Sequence, residues 1–201
     1  MIGRMIGAAR LDVHTFEEVE QDRGATVQAM LVVILVTIAS LIGGMLAGDE
    51  FDIVRGIVFG AIRGIGAWAI WALVAWMIGS TILKTPETNA NWGELARCTG
   101  FAQTPGLLSV FVFVSGIGWL IGLVAFVWQL AAMLVGVRQA LDYSSTWRAF
   151  FVVVISLIPV AILYVVFAII LGIAEGATGG ETMDAAEQAM RLIGIGSYAA
   201  A

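Results

Sequence analysis

The 201-residue chain is 60% hydrophobic and only 12% charged, and its mean hydropathy of +0.97 is typical of an integral membrane protein. A net charge of −5 and the lack of a basic stripe argue against a nucleic-acid partner. With one cysteine, Cys98, the chain forms neither an internal disulfide nor a thiolate metal cluster.

Residues 1–25 form an amphipathic segment that we expect to lie at the membrane interface and to pack on the helices that follow. Thr15 and Glu18 have the spacing of a capping box, which predicts the start of a short helix. A dedicated lipid-binding or partner-binding arm is the alternative. The first apolar stretch begins only at about Thr26, after an acidic sequence, so we interpret it as a retained helix and not as a cleaved signal.

Residues 26–172 contain about five stretches that are long and apolar enough to cross a bilayer, the first from Gln28 to about Leu46. The second, Ile53 to Leu83, exceeds one crossing, so its spanning core is placed at Gly64–Leu83 with Arg63 near the interface. Glycine recurs there every four residues, on a face that suits close packing within the protein or with a partner. These glycines are Gly56, Gly60 and Gly64.

The second span also carries Trp68, Ala72 and Trp76 in a line at helical spacing. Packing in the core or at an interface is the usual role of such a stripe. Binding of a pigment or a quinone is the alternative interpretation, and it predicts an absorbing species in the purified protein.

The longest uncharged run, Cys98 to Val137, has forty residues. As a helix it would extend about 60 Å, about twice the hydrocarbon core of a bilayer. Ser115 to Gly118 is a turn signal near its middle, and arginines close both ends. We therefore predict a transmembrane hairpin that forms the third and fourth spans.

Three polar or helix-breaking features are expected within the last spans. Pro105 leaves the carbonyl of Phe101 without its helical partner, and the neighbouring Gln103 and Thr104 are suited to repair this defect. Gln129 is expected to make a buried interhelical hydrogen bond, with a substrate contact as the less favoured role. The fifth span, about Phe150 to Leu171, is predicted to kink at Pro159.

Residues 173–201 form a small-residue tail in which a short amphipathic helix is predicted, with Met183 and Met190 on its apolar face. Five spans divide the basic residues seven to three, which predicts a cytoplasmic N-terminus and an external C-terminus. The seven are Arg4, Arg10, Arg23, Lys84, Arg97, Arg138 and Arg148, and the three are Arg55, Arg63 and Arg191.

The predicted spans contain no Asp or Glu, which argues against ion-coupled transport. The one histidine, His14, lies far along the chain from any spanning serine, so a Ser/His pair and bis-histidine haem ligation are both excluded. We therefore expect no catalytic residue, no metal and no cofactor.

Several motifs resemble the prokaryotic branch of the Yip family (Ypt-interacting-protein domain) over residues 10–172. They are Arg97-Cys-Thr-Gly-Phe-Ala-Gln-Thr-Pro105, Gly116-Ile-Gly118, Trp128-Gln-Leu130, Val135-Gly-Val-Arg-Gln-Ala140 and Trp147-Arg-Ala149. The resemblance implies a five-helix membrane fold with a cytoplasmic N-terminus and no catalytic residue. Eukaryotic members are associated with Rab-type GTPases and vesicle traffic, and they carry a longer N-terminal domain and an acidic-aromatic motif that this chain lacks.

These observations predict a non-catalytic membrane protein that acts as a scaffold, a membrane-organising factor or an accessory subunit. Its expected partners are the lipid bilayer and other membrane subunits or a second copy, with no soluble small-molecule substrate. The contact surfaces predicted are the glycine face, the N-terminal segment and the Met183/Met190 face. The alternative is permeation of a small solute or lipid along a polar path lined by Arg63, Gln103 and Gln129.

Overall fold

The computed structural model describes residues 1–48, 53–162 and 165, and every regular element in them is helical, as the sequence predicts. In chain order the helices are α1 (Ile2–Ala9), α2 (Val13–Gln21), α3 (Ala25–Ala47), α4 (Ile53–Met77, continued by a π-helical turn over Ile78–Ile82), α5 (Trp92–Phe101), α6 (Gly118–Ala140) and α7 (Thr146–Ile162). A 3₁₀ helix over Thr104–Phe111 lies between α5 and α6.

Two compact units divide the chain, Met1–Ile158 and Pro159–Ala201. In the second unit the structure describes residues 159–162 and 165, which are helical. The predicted tail with Met183 and Met190 and the last part of the predicted fifth span lie outside the described residues. The kink at Pro159 stays a prediction.

Three helices of the described chain are long and apolar enough to cross a membrane: Ala25–Ala47, Gly56–Ile82 and Gly118–Ala140. They correspond to the first, second and fourth predicted spans. Helix α7, Thr146–Ile162, is apolar but shorter over its described residues. The described residues therefore contain membrane-spanning helices, but they show three of the five predicted spans as single long helices.

The third predicted span is not one continuous α-helix. Helix α5 ends at Phe101 and the chain continues as the 3₁₀ helix, because Pro105 lacks an N–H and cannot extend the α-helical ladder. The hydroxyl of Thr104 donates to the carbonyl oxygen of Phe101 at 2.6 Å, the repair that the sequence suggested. A 3₁₀ helix rises about 2 Å per residue, so this arm still covers nearly the same depth as α6.

Helix α2 begins differently from the prediction, so the proposed capping box at Thr15 and Glu18 is wrong. Asp12 is the N-cap, and its carboxylate accepts from the backbone N–H of His14 at 3.3 Å and from the Thr15 hydroxyl at 2.7 Å. The short Asp12 side chain reaches the free amides one turn earlier than Thr15 could.

The turn and the two antiparallel arms of the predicted hairpin are confirmed, although only the second arm, α6, is a single helix long enough to cross a membrane. Gly116 has a φ of +84° in the turn, a conformation that favours glycine, and α6 begins at Gly118. A Cβ atom on Gly136 would lie 3.3 Å from the carbonyl oxygen of Cys98, and one on Gly106 would lie 3.0 Å from Oε1 of Gln129. These close approaches show that the two arms run antiparallel and in contact along their length.

Helix α3 runs parallel to the first arm of the hairpin and packs closely on it. A Cβ atom on Gly100 would lie 2.7 Å from Cβ of Ala29, and the hydroxyls of Ser40 and Ser109 are 2.8 Å apart. Because small residues occupy these positions, the backbones approach closely. The core of the first unit therefore lies between α3 and the hairpin.

Candidate functional site: the N-terminal clamp and the membrane-depth polar residues

Residues 1–22, comprising α1 and α2, fold onto the central hairpin and are called the N-terminal clamp below. Phe16 and Val19 of α2 are fully buried. A Cβ atom on Gly136 would lie 3.2 Å from Cε1 of Phe16, so the aromatic ring occupies the space that the missing side chain leaves. Burial of an aromatic side chain contributes about 2–3 kcal/mol, which makes Phe16 the main apolar anchor of the clamp.

Arg97 of α5 binds the C-terminal end of α2. The side chain is only 5% exposed, its Nε donates to the carbonyl oxygen of Val19 at 3.1 Å, and its Nη2 donates to that of Glu20. The last carbonyls of a helix have no partner within the helix and carry its negative dipole end. A buried guanidinium therefore caps α2 from a neighbouring helix.

Carboxylates surround this buried arginine. The pKa of Glu20 is raised to about 7, mainly by burial and further by nearby Asp142 and Glu94, while Arg97 acts in the opposite direction. Glu17 accepts a hydrogen bond from Nε2 of Gln139 at 3.2 Å. The charge of the half-buried Glu20 in the clamp therefore changes near neutral pH.

Side chains from the rest of the chain bind α1 near both of its ends. The guanidinium of Arg4 forms ion pairs with Glu18 and Asp22, each at 2.8 Å, and a hydrogen bond with the side chain of Gln28 at 3.3 Å. At the other end, the indole N–H of Trp128 donates to the carbonyl oxygen of Ala9 at 2.6 Å. Since Trp128 lies near the middle of α6, the clamp extends about half-way along the hairpin.

The outward side of the clamp carries apolar side chains that nothing in the described chain covers. Ile2 is 71% exposed and Ile6 and Val13 are also exposed, whereas Met5 and Ala8 are buried on the inner side. The clamp is therefore apolar on two sides, one of which packs inside the chain.

The glycine face lies against α3. A Cβ atom on Gly60 would lie 3.2 Å from Cγ2 of Thr37 and 3.3 Å from Cδ1 of Leu41, and one on Gly64 would lie 2.7 Å from Oγ1 of Thr37. Gly56 precedes them by one turn at the same spacing. Gly60 and Gly64 therefore serve packing within the chain, so a partner surface must be sought elsewhere.

The three polar residues predicted at membrane depth do not form one path. Arg63 is exposed on α4, whereas Gln103 and Gln129 are half-buried in the hairpin. Gln129 also lines a half-enclosed cavity of about 210 Å³ whose other lining residues are apolar: Trp71, Phe126, Leu130, Met133, Val153 and Leu157. Gln103 and Arg63 do not line this cavity, so the arrangement gives no support to permeation.

The tryptophans of the second span have individual roles. The indole of Trp68 donates to the hydroxyl of Thr99 at 3.2 Å, and that of Trp76 donates to the carbonyl oxygen of Ala90 at 2.8 Å. Trp71 is 7% exposed, and its indole nitrogen has no hydrogen-bond partner among the described residues. The predicted Trp68/Trp76 line thus joins α4 to the chain around it, while Trp71 stands apart.

Sequence reasoning missed Arg97, Trp71 and Trp128. Arg97 counted there only as a charge at the membrane boundary, although its position beside Leu95, Ala96 and Cys98, which are all buried, shows that it faces the interior. The sequence signal is the position of Arg97 at the start of the long uncharged run that begins at Cys98. The partner atoms, two backbone carbonyls, have no sequence signature.

Comparison with known proteins adds one finding. The family model described as the Yip1 domain matches residues 12–170, a range that includes α2, the hairpin and the cavity. No curated protein and no solved structure matches the chain.

Proposed function

Because the chain belongs to the Yip1 domain family and is an integral membrane protein, we propose that it acts as a non-catalytic scaffold, a membrane-organising factor or an accessory subunit. The N-terminal clamp is the observation that supports this proposal. Arg97, Phe16 and Trp128 hold a short helical segment in one position on the hairpin. A fixed surface of this kind suits protein contacts.

The outward side of the clamp is the proposed contact surface. An isolated eight-residue helix is not stable in water, so α1 keeps its place through the burial of Met5 and Ala8, the Arg4 ion pairs and the Trp128 hydrogen bond. These contacts hold Ile2 and Ile6 in an exposed, ordered arrangement at helical spacing. We propose that another membrane subunit or a second copy packs on them, with the lipid bilayer covering the spans.

The polar groups of α5 that face the clamp support a contact role rather than catalysis. Arg97 uses its donors on backbone carbonyls, and the thiol of Cys98 lies 3.5 Å from the carbonyl oxygen of Phe16. Each of these groups is occupied by a helix-to-helix contact. We therefore propose that the protein works without a catalytic residue, metal or cofactor of its own.

The proposed location is the bacterial plasma membrane with a cytoplasmic N-terminus and an external C-terminus, because basic residues favour the N-terminal side seven to three. Gly3→Cys and Ser115→Cys, each in a Cys98→Ala background, test this orientation. A membrane-impermeant maleimide applied to intact cells should label position 115 and not position 3. The reverse pattern would refute the orientation.

The scaffold proposal is tested by purifying the tagged protein from its native membrane in lipid nanodiscs and identifying co-purifying proteins by mass spectrometry. We expect a stoichiometric partner or a defined homo-oligomer that the double variant Ile2→Ser/Ile6→Ser loses. Ile117→Ser, an exposed position in the hairpin turn, is the matched control and should keep the assembly. A monomer without partners, or an assembly that all variants keep, would contradict the proposal.

A further inference from the structure

The turn between α6 and α7 lies at a boundary of the membrane. Helix α6 has 23 residues and extends about 34 Å, slightly more than the hydrocarbon core of about 30 Å. Its last turn therefore reaches the headgroup layer, and α7 begins at Thr146, directly after residues 141–145. Two arginines flank this turn, Arg138 in the last turn of α6 and Arg148 in the first turn of α7.

Contacts within the turn place both arginines beside Tyr143. Nε of Arg138 donates to the carbonyl oxygen of Tyr143 at 3.2 Å, and its Nη1 donates to the hydroxyl of Thr146 at 3.5 Å. The guanidinium of Arg138 therefore reaches the first turn of α7, where Arg148 lies. Burial raises the pKa of the Tyr143 phenol, and the nearby charge of Arg148 acts in the opposite direction.

The positive charge of this turn has no carboxylate to balance it in the part of the chain that the structure describes. Neither Arg138 nor Arg148 forms an ion pair there. Asp142, the nearest carboxylate along the chain, instead accepts a hydrogen bond from the backbone N–H of Asn89 at 3.3 Å. Arg148 is exposed, and Arg138 uses two of the N–H groups of its guanidinium and keeps others. The turn therefore offers charged donors to an anion.

An apolar stripe on α7 begins at the same turn. Its side chains are 39–72% exposed and recur at helical spacing, so they share one face of the helix. They are Trp147, Phe151, Val154 and Ile158. The stripe extends about 16 Å from the turn, about the depth of one leaflet of hydrocarbon. A cationic turn at the end of an apolar stripe is complementary to a molecule with an anionic head and an acyl chain.

We propose that Arg138, Arg148 and the stripe on α7 bind an acidic phospholipid, with its phosphate at the turn and an acyl chain along the stripe. Guanidinium groups form short, charge-assisted hydrogen bonds with phosphate oxygens. Trp147, which is 72% exposed, has an amphipathic ring of the kind that lies at the headgroup level. The site uses no residue of the N-terminal clamp, so it does not depend on the proposed contact function.

Native mass spectrometry of the full chain, released from neutral detergent micelles, tests the proposal by lipid titration. The probes are phosphatidylglycerol and phosphatidylcholine with identical acyl chains, which differ in net charge. We expect one phosphatidylglycerol to bind at least about fivefold more tightly than phosphatidylcholine. Arg148→Gln should weaken phosphatidylglycerol binding about tenfold and leave phosphatidylcholine binding unchanged, which also shows that the variant is folded. Arg148→Lys keeps the charge and should lose less than about threefold.

Two controls separate a specific lipid site from general attraction and from a soluble ligand. Arg23→Gln removes the same charge from an exposed position outside the turn and should bind both lipids as the wild type does. Glycerol phosphate at matched ionic strength should not displace phosphatidylglycerol, because it has no acyl chain for the stripe. Equal affinity for the two lipids, wild-type binding by Arg148→Gln, or an equal loss in Arg23→Gln would each overturn the proposal. So would displacement by glycerol phosphate, which would assign the turn to a soluble phosphate.

Discussion

Arg97 is the residue whose replacement tests the clamp most sharply. Arg97→Met keeps the apolar stem and removes the guanidinium that caps α2. Two carbonyl oxygens, those of Val19 and Glu20, then lose charge-assisted donors inside the protein. At about 1–2 kcal/mol for each, we expect the clamp to dock about 2–4 kcal/mol more weakly, which is a rise of about 30-fold to 1,000-fold in the population of the open form.

Cys98 provides the assay for this change. It is the single cysteine of the chain, it is fully buried, and Phe16 of the clamp covers it. Its rate of modification by a membrane-permeant maleimide at fixed pH therefore reports opening of the clamp when closing is faster than the reaction. We expect Arg97→Met to raise this rate by about the same factor as the open population.

The control for this experiment is Arg148→Met, which removes an arginine that is exposed in the structure. Its labelling rate should equal that of the wild type. If Arg97→Met also labels at the wild-type rate while Phe16→Ala labels fast, then the buried arginine does not hold the clamp. The energetic reasoning about the two carbonyls would then be refuted.

Three further predictions concern pH, packing and the end of α1. The raised pKa of Glu20, about 7 against an ordinary 4.5, means that docking favours its protonated form, so the contribution of Glu20 to docking is complete below about pH 4.5 and is lost as the pH rises through 7. Hydrogen exchange of α2 between about pH 5 and 8 should show this slope, and Glu20→Gln should flatten it. The leucine side chain in Gly60→Leu would collide with α3 and should destabilise the protein by about 1–3 kcal/mol in thermal unfolding. Gly66→Leu is the control, since position 66 has open space around it. Equal melting temperatures for the two variants would contradict the packing of α4 on α3. Trp128→Phe removes the hydrogen bond to the carbonyl oxygen of Ala9 in α1. Because such a bond contributes about 1 kcal/mol, hydrogen exchange in α1 should become about fivefold faster. Trp119→Phe, which changes an exposed tryptophan, should leave the exchange rate unchanged.

The helical class and the hairpin were predictable because each depends on patterns that one sequence displays. An uncharged run of forty residues is too long for one crossing, and Ser115 to Gly118 marks the point where it turns. The effect of Pro105 was also predictable, since a missing N–H affects one identifiable carbonyl. The structure shows the repair by Thr104 at that carbonyl.

The clamp contacts were not predictable, because they join residues far apart in the sequence through backbone atoms. Arg97 and Val19 are separated by 78 positions, and Trp128 and Ala9 by 119. Every residue offers the same carbonyl group, so no side-chain pattern marks which one is used. The glycine face shows a related limit: its spacing predicts close packing, but only the structure identifies α3 as the neighbour of Gly60 and Gly64.

The roles of the tryptophans in α4 were only partly predictable. Helical spacing suggested either packing or a ligand for Trp68 and Trp76, and the structure shows hydrogen bonds within the chain for both. Trp68 and Trp76 have acceptors within the chain, whereas Trp71 has none among the described residues. Which tryptophan would lack a partner depends on the rotation of α4 against α5, which spacing alone does not determine.

Photo-cross-linking from position 6 in native membranes tests the scaffold function most directly. A photoreactive amino acid replaces Ile6 on the outward side of the clamp, and mass spectrometry identifies what it captures. We predict a discrete protein adduct, either one membrane subunit or a second copy of this chain, that is lost when Arg97→Met releases the clamp. Capture of lipid alone, or an adduct that does not change when the clamp is released, would contradict a contact function for this surface.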